Sequence, residues 1–133
     1  MEYRSPCPIA SALDIVGDRW TLVVLRNIFL GARRYNDQLE GPERISTNIL
    51  ADRLALLERE GLVEKHAYQT RPVRHEYRLT AKGADLLPVL QALSNWSLKY
   101  LPGRWTPAER FITGKPEDYL AAGHLMEGGP VNG

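Results

Sequence analysis

The 133-residue sequence predicts a mainly α-helical protein with a small β-hairpin: a winged helix-turn-helix with an added C-terminal dimerisation helix. Three observations carry that prediction. Ser46 precedes Thr47-Asn48-Ile49-Leu50-Ala51-Asp52-Arg53-Leu54-Ala55-Leu56-Leu57, and Gly61 closes the run, which gives a capped amphipathic helix. Leu62 to Tyr68 and Glu76 to Leu79 follow as short strands around a basic loop holding Arg71, Pro72, Arg74 and His75. Leu86, Leu90, Leu93 and Tyr100 then run down one side of a long last helix. A helix that leads straight into a basic hairpin can enter the major groove of DNA while the hairpin tip reaches the adjacent backbone or minor groove.

The remaining elements follow in order. Ile9, Ala12, Leu13 and Val16 recur at helical spacing, so residues 8–16 form a first helix, with Pro8 in its first turn and Gly17 at its end. Asp18 caps a second helix from Arg19 to Leu30, whose Trp20, Leu22, Val24, Leu25, Ile28 and Phe29 mark it as the centre of the domain. Tyr35 to Glu40 is a short third helix, and Gly41-Pro42 turns the chain toward the fourth. In that fourth helix Leu50, Leu54 and Leu57 face inward, leaving Thr47, Asn48, Ala51, Asp52 and Ala55 outward. The last helix runs from Thr80-Ala81 to about Leu101, and Pro88 bends it. Residues 1–101 make the DNA-binding domain. Residues 102–133 form a tail, partly helical or disordered: Thr106-Pro107-Ala108-Glu109 reads as a capping box, Pro116 to Met126 as a further short helix, and residues 128–133 as a frayed end.

Composition narrows the function classes. Hydrophobic content of 44% and charged content of 25% suit a globular domain, and no apolar run approaches the roughly 18 residues of a membrane span. The first residues lack the apolar stretch of a secretory signal, so a cytoplasmic protein is expected, without membrane association. Cys7 is the lone cysteine and the histidines (His66, His75 and His124) have no ligand spacing, so neither a disulfide framework nor a metal site is expected. No phosphate loop, nucleophile elbow or zinc-protease motif occurs, and neither a cofactor nor enzymatic activity is expected. Net charge is only +1, so any binding of nucleic acid must rest on local placement of arginine.

Candidate site residues follow from that placement. Asn48 can pair with the N6/N7 edge of adenine, and Asp52 can accept from cytosine N4 or discriminate against wrong sequences. Ser46 and Thr47 open the same helix. Arg53, nearer its flank, can reach a phosphate or form an internal salt bridge. Arg71, Arg74 and His75 sit in the wing, where guanidinium groups at a proline-stiffened tip suit phosphates or a narrow minor groove. Arg34, with Arg33, precedes the third helix and is a further phosphate candidate. Leu86, Leu90, Leu93 and Tyr100 of the last helix supply more apolar face than one small core needs, and are candidates for a dimer surface. Trp20 and Trp96 read as core or interface residues. Cys7, between Pro6 and Pro8 at the start of the first helix, is either a small packed apolar residue or an exposed reactive thiol. Two competing readings are a protein-interaction module that keeps the winged-helix scaffold without binding DNA, and a small thiol enzyme using Cys7. The second lacks a base near Cys7 in sequence.

Taken in order, several segments resemble the HxlR-type winged-helix transcriptional regulators: Cys7-Pro8, Ala12-Leu13-Asp14-Ile15-Val16-Gly17-Asp18-Arg19-Trp20-Thr21-Leu22, Arg34-Tyr35-Asn36-Asp37-Gln38-Leu39, Ile45 through Val63, and Glu76-Tyr77-Arg78-Leu79-Thr80 with Gly83. The resemblance covers about residues 5–101. It implies a homodimer that binds a pseudo-palindromic double-stranded operator, has no catalytic activity and uses its first and last helices as the dimer surface, which adds Ile9 and Leu13 of the first helix to the candidate dimer residues. It also implies, for some members, a sensing cysteine at the position matched by Cys7. The chain departs from the family at the start of the fourth helix, where members often have a basic or amide residue and this chain has Thr47, Asn48 and, one turn on, Asp52, and in the tail after Pro102.

Overall fold

The computed structural model describes residues 2–120. Helix α1 (Pro8–Val16) leads to α2 (Thr21–Phe29), α3 (Tyr35–Gln38) and α4 (Thr47–Arg59), then strands β1 (Val63–Thr70) and β2 (Val73–Leu79). Helices α5 (Ala81–Ala84), α6 (Leu87–Tyr100) and α7 (Glu109–Thr113) follow, with a 3-10 turn at Pro116–Tyr119.

Helix α2 is the centre of the core, as its apolar sequence predicts: Val24, Leu25, Ile28 and Phe29 are wholly buried. Against them pack Leu50, Leu54 and Leu57 of α4, Leu62 and Val63 at the start of the wing, Leu79 at its end, and Leu87 and Leu90 of α6. Asp18 caps α2 through its carboxylate, which accepts from the backbone N–H groups of Trp20 (2.9 Å) and Thr21 (3.1 Å) and from the Thr21 hydroxyl. Regular helix therefore begins at Thr21, two residues later than Arg19.

A buried polar network sets the position of α3. The Gln38 amide donates to the carbonyls of Val24 (3.0 Å) and Ala32 (3.1 Å) and accepts from Asn27 Nδ2 (2.9 Å). Arg26 binds the Asn27 side-chain oxygen and pairs in a fork with Glu43 at 2.8 and 2.9 Å, which ties the turn before α4 to α2. In that turn Arg44 adopts a positive φ of 57°.

At the other end of α4 the chain reverses through Gly61, whose φ of +76° favours glycine. Thr80 donates to the Gly61 carbonyl (2.6 Å) and Lys82 to that of Glu60 (2.7 Å), so the residues after the wing satisfy the end of α4. Gly83 is required for this contact: a Cβ there would meet the Leu62 carbonyl oxygen at 2.0 Å.

Three expectations need correction. The last helix is not continuous: α5 ends at Ala84 and α6 starts at Leu87. Pro88 explains the break, because it has no N–H for a bond to Ala84 and its ring would strike that carbonyl; the bend is a full interruption. The wing strands are longer than alternation suggested, with β2 starting at Val73, so Arg74 and His75 lie within the strand and only Arg71-Pro72 forms the turn. In the tail, Thr106 caps nothing: α7 starts at Glu109 after Ala108. Its register is set by Phe111, which with Tyr119 is buried against Phe29 at ring separations of 6.5 and 5.0 Å. Gln91 of α6 donates to the carbonyls of Phe111 (2.8 Å) and Gly114 (3.0 Å) and holds α7 in place. Of the helix expected over 116–126, the described part is the 3-10 turn; its remainder and the frayed end at 128–133 lie outside the described residues.

Candidate nucleic-acid interface

The outward face of α4 carries Thr47, Asn48, Ala51, Asp52 and Ala55, all exposed. Amphipathicity produces this: the leucines at 50, 54 and 57 are drawn into the core and leave small and polar groups outside. Ser46 is occupied as the cap, its hydroxyl accepting from the Ile49 N–H at 3.2 Å. The Thr47 carbonyl accepts from the Tyr35 hydroxyl (3.1 Å), which fixes the first turn of α4 to the start of α3. Asn48 makes no side-chain hydrogen bond among the described residues, and its amide is open to a ligand.

Arg53 resolves to the internal salt bridge. Its guanidinium donates to Asp18 at 2.8 Å and also to Asp52. Partial burial works against the charge on Asp18, but the hydrogen bonds from Thr21, Arg53 and the two backbone N–H groups outweigh it and hold its carboxyl down at about 2. Arg53 thus ties the middle of α4 to the cap of α2. The same contact occupies Asp52.

The wing stands beside this face. Val63 pairs with Leu79 at its base and Thr70 with Val73 at its tip. Gln69 closes the tip by donating to the Pro72 carbonyl at 3.1 Å. Arg71 is exposed in the turn, Arg74 lies opposite Gln69, and half-buried His75 lies opposite Ala67. The register shifts between Ala67 and Gln69, which leaves Tyr68 as a bulge. Residues 33 and 34 extend the sheet: Arg34 bridges to Glu76, and the Tyr77 N–H donates to the Arg33 carbonyl at 2.8 Å. The Arg34 guanidinium lies 3.8 Å from the centre of the Tyr68 ring.

Several arginines are held in ion pairs. Arg4 pairs with Asp14, Arg26 with Glu43, Arg53 with Asp18 and Asp52, and Arg78 with Glu76. Arg34, Arg71 and Arg74 have no acidic partner among the described residues, and all three lie on the wing or the strand-like segment beside it. Sequence reasoning missed Tyr68, whose signal was only an aromatic residue in a strand that alternates poorly.

The candidate dimer residues divide. Leu90 is buried and Leu86 packs against the core, so both serve the core of the chain itself. Ile9 (72% exposed), Leu13 (51%), Leu93 (51%) and Tyr100 (59%) remain outside, joined by Trp96 (58%), whose ring lies 5.6 Å from that of Tyr100. Trp20 packs against the core. Cys7 is exposed and is the N-cap of α1, its sulfur accepting from the Ala10 N–H at 3.5 Å, so it is not packed in the core of this chain. Among the described residues no helix is long and apolar enough to cross a membrane.

Comparison with known proteins places these features in context. The profile of the HxlR-like helix-turn-helix family matches residues 15–104. An uncharacterized HTH-type transcriptional regulator of Mycobacterium bovis, Mb3122, is 43% identical over 94 residues, which cover 71% of this chain and 59% of that protein. The chain thus spans less than two thirds of that relative. The reduced form of the transcriptional regulator YodB from Bacillus subtilis superposes with a TM-score of 0.61 at 30% identity, over 76% of this chain and all of the other. The oxidized form of the redox regulator HypR superposes with a TM-score of 0.65 at 27% identity, over 75% of this chain and 100% of that one.

Proposed function

The chain belongs to the HxlR-like helix-turn-helix family, and from that membership we propose that it is a transcriptional regulator that binds a pseudo-palindromic operator in double-stranded DNA as a homodimer. The observation that carries the reading is the juxtaposition of an exposed face of small and polar residues on α4 with a wing whose tip arginines, Arg71 and Arg74, lack acidic partners among the described residues. Ala51 and Ala55 allow the helix to approach the groove closely, and Asn48 is the base-reading residue. Arg71 and Arg74 contact the backbone or minor groove, with Arg34 beside them. Two copies joined through α1 and α6 present two recognition helices about 34 Å apart, one turn of B-DNA.

A mobility shift on the chain's own upstream DNA, at low and moderate salt, tests the reading. A retarded complex that weakens steeply with salt supports it. No complex at low salt would leave a winged-helix module that binds another protein instead.

Response to thiol-reactive or oxidative stress is the finer part of the proposal. Cys7 is exposed at the N-terminus of α1, where an electrophile can reach its sulfur. The likeness to a redox regulator adds support. With no second cysteine in the chain, the products are a bridge between copies, a mixed disulfide with a small thiol, or a sulfenic acid. Operator affinity measured before and after diamide, in the wild type and Cys7→Ser, decides it. Equal responses in the two proteins would remove Cys7 from any sensing role.

A further inference from the structure

We propose that the crevice between the start of α3 and the wing seats one backbone phosphate of duplex DNA, and that Tyr68 is the positioning residue that aims Arg34 into it. This rests on the reading of the chain as a DNA-binding protein. The crevice has a volume of about 410 Å³, and its walls include Arg34, Asn36, Tyr68, Arg74 and His75, with Asp37 as an acid on its helical side.

Three features point to a phosphodiester. Arg34 and Arg74 face the crevice without an ion pair among the described residues, whereas Arg4, Arg26, Arg53 and Arg78 are each held by a carboxylate. The Arg34 backbone is pinned by its bridge to Glu76 and by the neighbouring bond from the Tyr77 N–H to the Arg33 carbonyl, so the side chain starts from a fixed point. The Tyr68 ring, set apart from strand pairing by the bulge, covers a face of the Arg34 guanidinium at 3.8 Å. Stacking uses the face of a guanidinium and none of its five N–H donors, which all lie in the plane at its edge. The stack therefore selects a side-chain orientation before DNA arrives and leaves the donors free for phosphate oxygens. The bond from the Tyr35 hydroxyl to the Thr47 carbonyl places the seat beside the first turn of α4, where a phosphate flanking the bases under Asn48 would lie.

Anisotropy of a fluorescent operator duplex, titrated at several salt concentrations, tests this. Arg34→Ala and Tyr68→Leu should each weaken binding by about tenfold and flatten the plot of log K against log salt by about 0.9, the contribution of one phosphate. Tyr68→Phe keeps the ring and should behave as wild type. The double variant Arg34→Ala with Tyr68→Leu should be no weaker than either single variant. A Tyr68→Leu protein with an unchanged salt slope, or additive losses in the double variant, overturns the seat while leaving DNA binding intact. A wild type that binds no duplex at any salt overturns the DNA reading and the seat with it. The Arg34 side-chain N–H resonance supplies a second readout. It should move on adding duplex at concentrations where inorganic phosphate leaves it in place; an equal response to inorganic phosphate would make the crevice a small-anion site and overturn the proposal.

Discussion

At the residue scale, one side chain can carry sequence information and another only charge, and the two give different experimental signatures. Asn48→Ala should relax preference at a single base pair, costing on the order of 1–3 kcal/mol for the best site and little for others. Arg74→Ala should weaken all sequences alike and flatten the salt slope by about one unit; affinities for a panel of single-base operator variants separate the two. Asp18 makes a different prediction. Its carboxyl titrates at about 2, below the roughly 3.9 of an unfolded chain, so it binds protons less readily when folded. Its contribution is complete above pH ~4, fades as pH falls through that window and is gone below about 2. Asp18→Asn should therefore be less stable than wild type at neutral pH, with a gap in urea midpoint that narrows between pH 4 and 2.5. A gap independent of pH would remove the ionic part of this cap. Asp18 was legible as a cap because its cue is local. Its salt bridge to Arg53, 35 positions away, was not: sequence left Arg53 equally a phosphate contact, and only the packing of α4 on α2 decides it.

At the element scale, α4 and the wing were readable because their signals sit within a few residues: Ser46 before the helix, Gly61 after it, and Arg71-Pro72 between strands. The split of α5 from α6 was half readable, since Pro88 announced a disturbance whose size depends on what the two pieces pack against. The tail was least readable. Phe111 and Tyr119 have no periodic company, and they become core residues because Phe29 and Gln91 receive them. The network at Gln38 was equally hidden, since a glutamine in a short helix usually faces water. Gln38 is 1% exposed, and its amide joins α3 to two carbonyls of the α2 region and to Asn27. Gln38→Ala removes the partner of the buried Asn27 amide N–H and a donor from two carbonyls, and should cost ~2–3 kcal/mol in urea unfolding. Because the same network anchors the approach to α4, operator affinity should fall as well. A variant as stable as wild type would mean that water replaces the amide without loss.

At the scale of the whole molecule, the apolar surface left outside the core is the main unspent feature. Ile9, Leu13, Leu93, Trp96 and Tyr100 are each more than half exposed, and they belong to α1 and α6. Large apolar side chains clustered on two helices are costly in water and are the usual mark of association. Periodicity alone put Leu86 and Leu90 on this surface too. Burial reassigns them, because the break at Pro88 gives α6 a start of its own, with Leu87 and Leu90 directed at α2 while Leu93 turns outward. A test of dimerisation must therefore use a residue that the core does not need. Leu93→Asp meets that condition: it should fold, as judged by an unchanged thermal transition, yet sediment as a monomer at concentrations where wild type is a dimer. A dimer engages both half-sites at once, so losing it should weaken operator binding by roughly 100-fold or more while sparing affinity for a single half-site. If Leu93→Asp remains dimeric with full operator affinity, the association surface lies elsewhere; if wild type sediments as a monomer at micromolar concentration, the two-fold arrangement of recognition helices falls with it.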